Sequence, residues 1–156
     1  MRFLMMFALM VEKASIKDLD KLFEIEGKCF GFEAFTKEQL AYLLFDRNNV
    51  SLIAKINGEI VGFIIGRINF NGGQTVGHVL TVDVSPKHRR KGVGLKLLTE
   101  IEKVFKERGV KICYLEARED NFAALNLYQK KRYKRVKKLR NYYGYVHGIR
   151  FMKILA

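Results

Sequence analysis

The segment that decides the fold is VDVSPKHRRKGVGLKLLTEIEK, which runs from Val82 to Lys103. A strand-like apolar pattern ends there at Pro86, the only proline in the sequence. Cationic residues and two glycines, Gly92 and Gly94, come next, and apolar residues then recur at helical spacing. Because glycine is a poor helix former, two glycines at the start of a helix need a physical reason.

A strand–turn–helix junction of this composition is suited to binding an anion. The first turn of a helix has backbone N–H groups without intrahelical partners and carries the positive end of the helix dipole. Gly92 and Gly94 lack side chains, so a phosphate can approach the main chain, and Arg89, Arg90 and Lys91 add positive charge. The spacing excludes both a P-loop and a dinucleotide-binding fingerprint, because leucines stand where those motifs require other residues.

Upstream of the junction, the pattern predicts a short strand, two helices and three strands. Ser15 and Thr36 are placed to cap the two helices. Asn57-Gly58 predicts a tight hairpin, and NGGQ predicts a second turn. The segment from Val50 to Val84 is therefore predicted to form an antiparallel meander.

Downstream of the junction, a helix with one apolar face is predicted to end at Gly109. The strand VKICYLEA, a helix that starts at Asp120 or Asn121, and the strands YKRVKKL and IRFMKIL follow. The strand–helix–strand crossover makes its two strands parallel neighbours. The predicted fold class is α/β, with a mixed, mostly antiparallel seven-stranded sheet, about four helices and a parallel strand pair at the centre.

Composition predicts a single domain over residues 1–156, since no linker, repeat or low-complexity segment divides the chain. MRFLMMFALM is too short for a signal peptide and is expected to extend the first strand or to be poorly ordered. No run reaches the length of a membrane helix. Cys29 and Cys113 are far apart, which favours reduced cysteines in a cytoplasmic protein and supports neither a disulfide framework nor a metal site.

The formal net charge is +13 at pH 7, and much of the excess lies between Gln129 and Arg140. Such a charge favours anionic partners, whether nucleic acid, a ribosome surface or a phosphorylated cofactor, without choosing among them. A run of this kind is also commonly just a solvated face.

Arg89 to Gly94, RRKGVG, matches the Q/R-x-x-G-x-G/A signature of the GNAT acetyltransferases. The segments GHVLTVDV, YLEAREDNFAALNLYQK and RNYYGYVHGIRFMKIL resemble the RimI-like and archaeal Ard1-like branch of that family. The resemblance extends from about Met10 to Leu155. It implies the GNAT fold, acetyl-CoA as cofactor, and transfer of its acetyl group to the α-amine of a peptide or ribosomal-protein N-terminus.

The resemblance also implies a set of cofactor-binding residues. The pantetheine arm would pair with the strand Val82, Asp83 and Val84, and a main-chain N–H there would polarise the carbonyl. Asn121 would bond the coenzyme arm, and Tyr128 would lie close to the sulfur. The pyrophosphate would be bound by the junction residues Arg89, Arg90, Lys91, Gly92, Val93, Gly94 and Leu95.

The same resemblance implies three catalytic residues. Glu116 would be the general base; a carboxylate within an apolar strand is itself unexpected, although pairing with Arg118 is the structural alternative. His78 would share the proton relay, unless it is an ordinary polar strand residue. Tyr128, twelve residues after Glu116, would be the general acid, and the alternative is a core tyrosine.

The residues expected to contact the acceptor lie in two segments. Glu33 and Phe35 belong to FGFEAFTKEQ, where related enzymes place the first residues of the peptide. Tyr142 and Tyr143 match a tyrosine pair whose hydroxyls bond the peptide backbone. One departure is Arg132, which stands where the family commonly has a glycine, so strain or a rebuilt turn is expected there.

Two alternatives to N-terminal acetylation remain open from the sequence. A lysine or polyamine N-acetyltransferase would use the same scaffold. A basic RNA- or ribosome-binding module without catalysis is favoured by the net charge, whereas the absence of an RNA-stacking aromatic motif argues against it.

Overall fold

The computed structural model of the protein describes residues 8–155. Most of the predicted N-terminal extension, residues 1–7, lies outside the described residues. The strands are β1 Leu9–Lys13, β2 Asn49–Ile56, β3 Glu59–Asn71, β4 Gln74–Val84, β5 Ile112–Arg118, β6 Lys134–Tyr143 and β7 Val146–Ile154. The helices are α1 Leu19–Phe30, α2 Lys37–Phe45, α3 Val93–Glu107 and α4 Phe122–Lys130.

The seven strands form one sheet in the order β1-β2-β3-β4-β5-β7-β6. β4 and β5 are parallel, and all other neighbouring pairs are antiparallel. This arrangement confirms the predicted α/β class and places the parallel pair at the centre of the sheet. No helix within residues 8–155 is long and apolar enough to span a membrane.

The predicted turns and caps form as their chemistry requires. Asn57 and Gly58 both have positive φ, which is the backbone of the twisted two-residue turn between antiparallel strands. The Thr36 hydroxyl accepts a hydrogen bond from the Gln39 N–H at 3.1 Å, and the Gln39 side chain accepts one from the Thr36 N–H. This reciprocal capping box fixes the start of α2.

Helices cover both faces of the central strands. On one face α1 and α2 contribute the buried residues Leu22, Ile25 and Leu40. On the other face α3 packs against the sheet through Leu97, Leu98, Ile101 and Phe105, as its apolar spacing predicted. Burial on both faces holds β4 in a fixed position, and β4 carries much of the site described below.

The expected strain at Arg132 is present. This residue has φ of +66°, a conformation that costs a side-chain-bearing residue about 1–2 kcal/mol. The Tyr133 N–H nevertheless bonds the Tyr128 carbonyl at 2.9 Å, so the helix ends tightly and β6 begins at Lys134. β6 then continues beyond the predicted YKRVKKL to Tyr143, because it pairs with β7 up to the connecting turn.

Candidate active site

The two central strands separate soon after they meet. β4 and β5 pair at three positions, the last of which joins His78 to Tyr114. From Val79 to Val84, the recorded pairing of β4 is with β3 on its other side. Within the described chain, one backbone edge of β4 therefore faces a cleft, where it is available to an extended ligand.

This cleft has a volume of about 560 Å³ and opens between α1, β4, β5, α4 and the turn after β6. It brings together many of the residues predicted from the sequence, together with Glu26, Phe30 and Phe32, which were not predicted. The predicted residues that line it are Glu33, Phe35, Val82, Glu116, Asn121, Tyr128, Tyr142 and Tyr143.

Glu116 is held at the cleft wall by two basic side chains. Its Oε1 lies 2.6 Å from His78 Nε2, and its Oε2 accepts a hydrogen bond from Arg150 Nε at 2.9 Å. The Glu116 side chain is 8% exposed. The alternative partner considered from the sequence, Arg118, instead bonds Glu33 and Asp120.

The surroundings of Glu116 set its protonation state. Burial alone would raise its pKa, but the hydrogen bonds and charges of His78 and Arg150 outweigh burial and lower the pKa below its usual value. Glu116 is therefore a carboxylate at neutral pH and can only accept hydrogen bonds. His78 Nε2 must then carry the hydrogen that joins the two groups.

Tyr128 occupies the buried face of α4 and lines the cleft. Its ring contacts Phe151 and Tyr133, at centroid distances of 5.5 and 6.1 Å. Burial raises the pKa of Tyr128, and the negative potential of nearby acidic groups adds to that effect. The phenol consequently stays protonated at neutral pH and is able to donate a proton into the cleft.

A second acidic pair lies behind the opposite wall. Asp83 is fully buried, and its Oδ1 accepts a hydrogen bond from the Thr81 hydroxyl at 2.5 Å. Its Oδ2 is buried without a recorded partner in the described residues. Burial is the main cause, and the adjacent Glu26 the next, of a pKa of Asp83 well above its usual value, so the surroundings favour the protonated form of this residue.

Glu26 connects this buried acid to the cleft surface. Its carboxylate lines the cleft, and its Oε2 accepts a hydrogen bond from the Phe35 N–H at 3.0 Å. That bond ties the α1–α2 connection to α1. Glu26 is almost completely buried, with 2% of its surface exposed. Phe35 is thus positioned by its backbone as well as by packing.

Glu33 and the tyrosine pair form the outer rim. Glu33 Oε1 accepts a hydrogen bond from Arg118 at 2.7 Å, and Arg118 also bonds Asp120. Tyr142 and Tyr143 pack edge to face with a centroid distance of 4.9 Å. The rim therefore presents one carboxylate and two aromatic side chains to the cleft mouth.

The two glycines of the junction between β4 and α3 have different structural roles. Gly92 precedes the first turn of α3 with φ of +78°, and open space surrounds the position that a Cβ would take. A Cβ on Gly94 would come within 3.2 Å of Leu127, so Gly94 allows α4 to approach α3. Arg90 also has positive φ, and backbone turns of this type can direct N–H groups towards an anion.

Sequence reasoning did not identify Arg150 or Glu26. Arg150 lies directly opposite Glu116 in the β5–β7 register, and that long-range pairing has no local sequence signal. A usable signal did exist, because Glu116 and Arg150 are charged residues that each stand between apolar neighbours in a strand-like segment. Opposite charges of this kind on separate buried strands favour a pair across the sheet.

Comparison with known proteins agrees with this geometry. The profile of the Acetyltransferase (GNAT) family matches residues 19–132. An N-alpha-acetyltransferase of Sulfurisphaera tokodaii is 31% identical over 148 residues, which cover 86% of this chain and 85% of the relative.

Two solved structures share the fold. The ribosomal-protein-S18-alanine N-acetyltransferase of Escherichia coli has a TM-score of 0.85 at 22% identity, covering 95% of this chain and 94% of that one. Arabidopsis thaliana NAA60, solved in complex with acetyl-CoA, has a TM-score of 0.83 at 20% identity, covering 94% and 98% of the two chains.

The structure offers what acetyl-CoA requires. The open backbone edge of β4 suits an extended amide-containing arm, and the glycine turn before α3 suits a pyrophosphate. The family match, the archaeal relative and this fit agree, and the protein is therefore an acetyl-CoA-dependent N-acetyltransferase of the GNAT family.

Proposed function

We propose that the protein acetylates the α-amino group at the N-terminus of peptides or proteins, including ribosomal proteins. The observation that carries the proposal is the placement of Glu116, Tyr128 and the Tyr142–Tyr143 rim in one cleft beside the open edge of β4. The archaeal relative is named an N-alpha-acetyltransferase, which supports an α-amine as acceptor.

The main chain of this protein would hold the cofactor. Backbone groups of Val82, Asp83 and Val84 would pair with the pantetheine arm, and the first turn of α3 with Arg89, Arg90 and Lys91 would hold the pyrophosphate. When bound, acetyl-CoA supplies a thioester whose acetyl group passes to the amine and whose sulfur departs as a thiol. The Asn121 side chain caps α4 by accepting from the Ala124 N–H at 3.1 Å, which fixes this residue beside the arm.

Proton removal from the acceptor would fall to His78 and Glu116 together. An α-ammonium group has a pKa of about 7.7–8.0, so only a modest pull is needed to remove its proton, and an imidazole can supply it. Glu116, with its lowered pKa, is a weak base alone but stabilises a protonated His78 at 2.6 Å. A water molecule between the amine and this pair would complete the path.

Tyr128 would supply the proton that the departing sulfur needs. Its raised pKa keeps the hydroxyl protonated, and it borders the cleft on the side of α4. The three acidic residues of the cleft, Glu26, Glu33 and Glu116, would also favour entry of a cationic amine over an anionic acceptor.

Mass spectrometry of a peptide library incubated with the protein and acetyl-CoA tests this proposal. Each library peptide would be supplied in two forms, one with a free α-amine and no lysine, and one with a blocked α-amine and an internal lysine. Acetylation confined to the first form is the expected result. Modification of the lysine form alone would assign the protein to ε-amine acetylation instead.

A further inference from the structure

One edge of the sheet carries a concentration of positive charge that the catalytic cleft does not use. β6 is the last strand in the sheet order. The end of α4, the turn that follows it and β6 itself expose a row of basic side chains. We call this row the basic edge; its members are Lys130, Arg132, Lys134, Arg135, Lys137, Lys138 and Arg140.

The charges of the basic edge are scarcely neutralised. Lys138 lies 3.8 Å from Glu119, and both side chains are exposed, so this pair contributes little. Among the described residues, the other six cations have no carboxylate within the 4.0 Å of an ion pair. Elsewhere Lys21 and Lys28 of α1 share Glu24, and Lys96 and Lys103 of α3 share Glu100. The basic edge stands out because its cations follow one another closely along one strand and the end of the preceding helix.

Protection against edge-to-edge aggregation does not account for this charge. Lysines on edge strands do prevent unwanted pairing, but a few charges of either sign are sufficient. The opposite edge of the same sheet, β1, carries Glu12 and Lys13, and Glu12 also pairs with Lys55 at 2.6 Å. One edge is therefore balanced in charge, whereas the other is uniformly cationic.

The arrangement of the basic edge fits a phosphate backbone. Successive strand residues point to opposite faces. The pairing of β6 with β7 shifts register between Arg135 and Lys137, so the spacing of the cations along β6 is not strictly regular. No residue of β6 is fully buried, so its cations project from both faces and form a ridge. A ridge matches a groove or a folded single strand, whereas a flat lipid surface would contact one side of it.

We propose that the basic edge binds RNA through its phosphates, without sequence preference. The ridge contains both lysines and arginines, and both residue types bond phosphate oxygens. β6 runs directly into Tyr142 and Tyr143 at the cleft rim, while Glu26, Glu33 and Glu116 line the cleft itself. Bound RNA would thus lie beside the mouth of the cleft, because the basic edge leads to the rim.

Fluorescence anisotropy with a labelled RNA oligonucleotide of about 20 nucleotides, titrated at several salt concentrations, tests this inference. The full chain is compared with a triple variant, K134Q/R135Q/K137Q, and with a matched control, K13Q/K17Q/K106Q, whose exposed lysines lie away from the basic edge. Removing three phosphate contacts should reduce the slope of log K against log salt by about 2 for single-stranded RNA. Affinity should fall at least tenfold, whereas the control should stay within about twofold of the parent.

Two results would overturn the inference. Equal weakening by both triple variants would show that overall charge, rather than the basic edge, attracts RNA. Binding to vesicles that contain anionic lipid, without binding to RNA under the same salt, would identify a membrane surface instead. Acetylation of a short uncharged peptide should be the same in all three proteins. This measurement therefore separates a failure of the proposed RNA binding from a failure of the proposed N-terminal acetylation.

Discussion

Each of the two walls of the cleft carries a carboxyl group, and the pKa values of these two groups are shifted in opposite directions. On the β5–β7 wall, Glu116 has a cation at each carboxylate oxygen, and its pKa is lowered. Behind the β4–α1 wall, Asp83 has a hydroxyl at one oxygen and no recorded partner at the other, and its pKa is raised. The two residues lie on neighbouring strands of one sheet.

The difference shows that the surroundings of a carboxyl group decide what it can do. Glu116 is ionised and reaches the cleft, so it can stabilise a developing positive charge on its neighbour. Asp83 is fully buried, its protonated form is favoured, and it does not line the cleft, so its side chain belongs to the packing between α1 and β4. Glu116 should therefore determine the rate of the reaction, and the Asp83 side chain should affect stability.

The largest effect is expected from E116Q. The amide cannot stabilise a protonated His78, so turnover should fall by about 10³-fold, within the range for general acid–base groups. Affinity for coenzyme A, measured by calorimetry, should change less than twofold, because the backbone and the junction bind it. The control E100Q removes a partly exposed glutamate of α3, away from the cleft, and should leave both quantities unchanged. Parent-like turnover of E116Q would refute its role.

A pair of tyrosines allows the same contrast without a change of charge. Tyr128 lines the cleft, whereas Tyr133 is buried and donates a hydrogen bond to Glu102 at 2.8 Å. Y128F should slow turnover by about 10²-fold at nearly unchanged stability, because the proton donor is lost. Y133F should keep turnover but lower the free energy of unfolding by about 1–3 kcal/mol, because Glu102 loses a buried partner.

Steady-state rates and urea denaturation of both variants check this contrast. Slower turnover of Y133F equal to that of Y128F would mean that the tyrosines act through packing. The proton-donor role of Tyr128 would then be wrong, although the wider active site would stand.

A smaller effect is expected from Arg150, which positions Glu116 and keeps it ionised. R150Q removes one of the two cations beside Glu116, so the pKa of Glu116 should rise. Because the base must be ionised, the acidic limb of the profile of kcat/KM against pH should move to higher pH. At the pH optimum the loss should be only severalfold, since the His78 contact remains.

R150K provides the matched control for that shift. Lysine retains the positive charge but loses the directed Nε hydrogen bond, so its profile should lie between the other two. A lower rate for R150Q at every pH, with an unmoved acidic limb, would show that Arg150 only supports the local structure.

These contrasts also indicate which parts of the molecule the sequence could predict. The hairpin at Asn57-Gly58, the capping box at Thr36 and the face of α3 depend on neighbours within a few residues, and all three were predicted correctly. The crossover rule then placed β4 beside β5. Local periodicity and short turns therefore determined nearly the whole order of elements.

The partners of the charged residues could not be predicted in the same way. Arg150 meets Glu116 through the register of β5 with β7, and Asp83 meets Glu26 through the packing of α1 on β4. Both contacts depend on distances between elements that are far apart in sequence. The proposed roles of Glu116 and Tyr128 came from a family resemblance, and the turnover of E116Q and Y128F tests them.

The smallest effect is expected from D83N, and it concerns stability. A carboxyl group with a raised pKa in the folded state favours folding while it is protonated. Its contribution is therefore complete below the pKa of the unfolded chain, about 3.9, and is lost as pH rises through the folded pKa. An amide stays uncharged at every pH and so avoids the cost of burying a charge, and D83N should therefore be about 1 kcal/mol more stable than the parent at pH 8.

Urea denaturation of D83N at pH 5 and pH 8 tests that expectation against D20N, which alters an exposed aspartate of α1. The advantage of D83N should grow with pH, whereas D20N should follow the parent at both values. Coenzyme affinity should be unchanged, because β4 would offer its backbone rather than the Asp83 side chain. A D83N protein that is folded but inactive would place the side chain of Asp83 in the chemistry, and the contrast between the two walls would then fail.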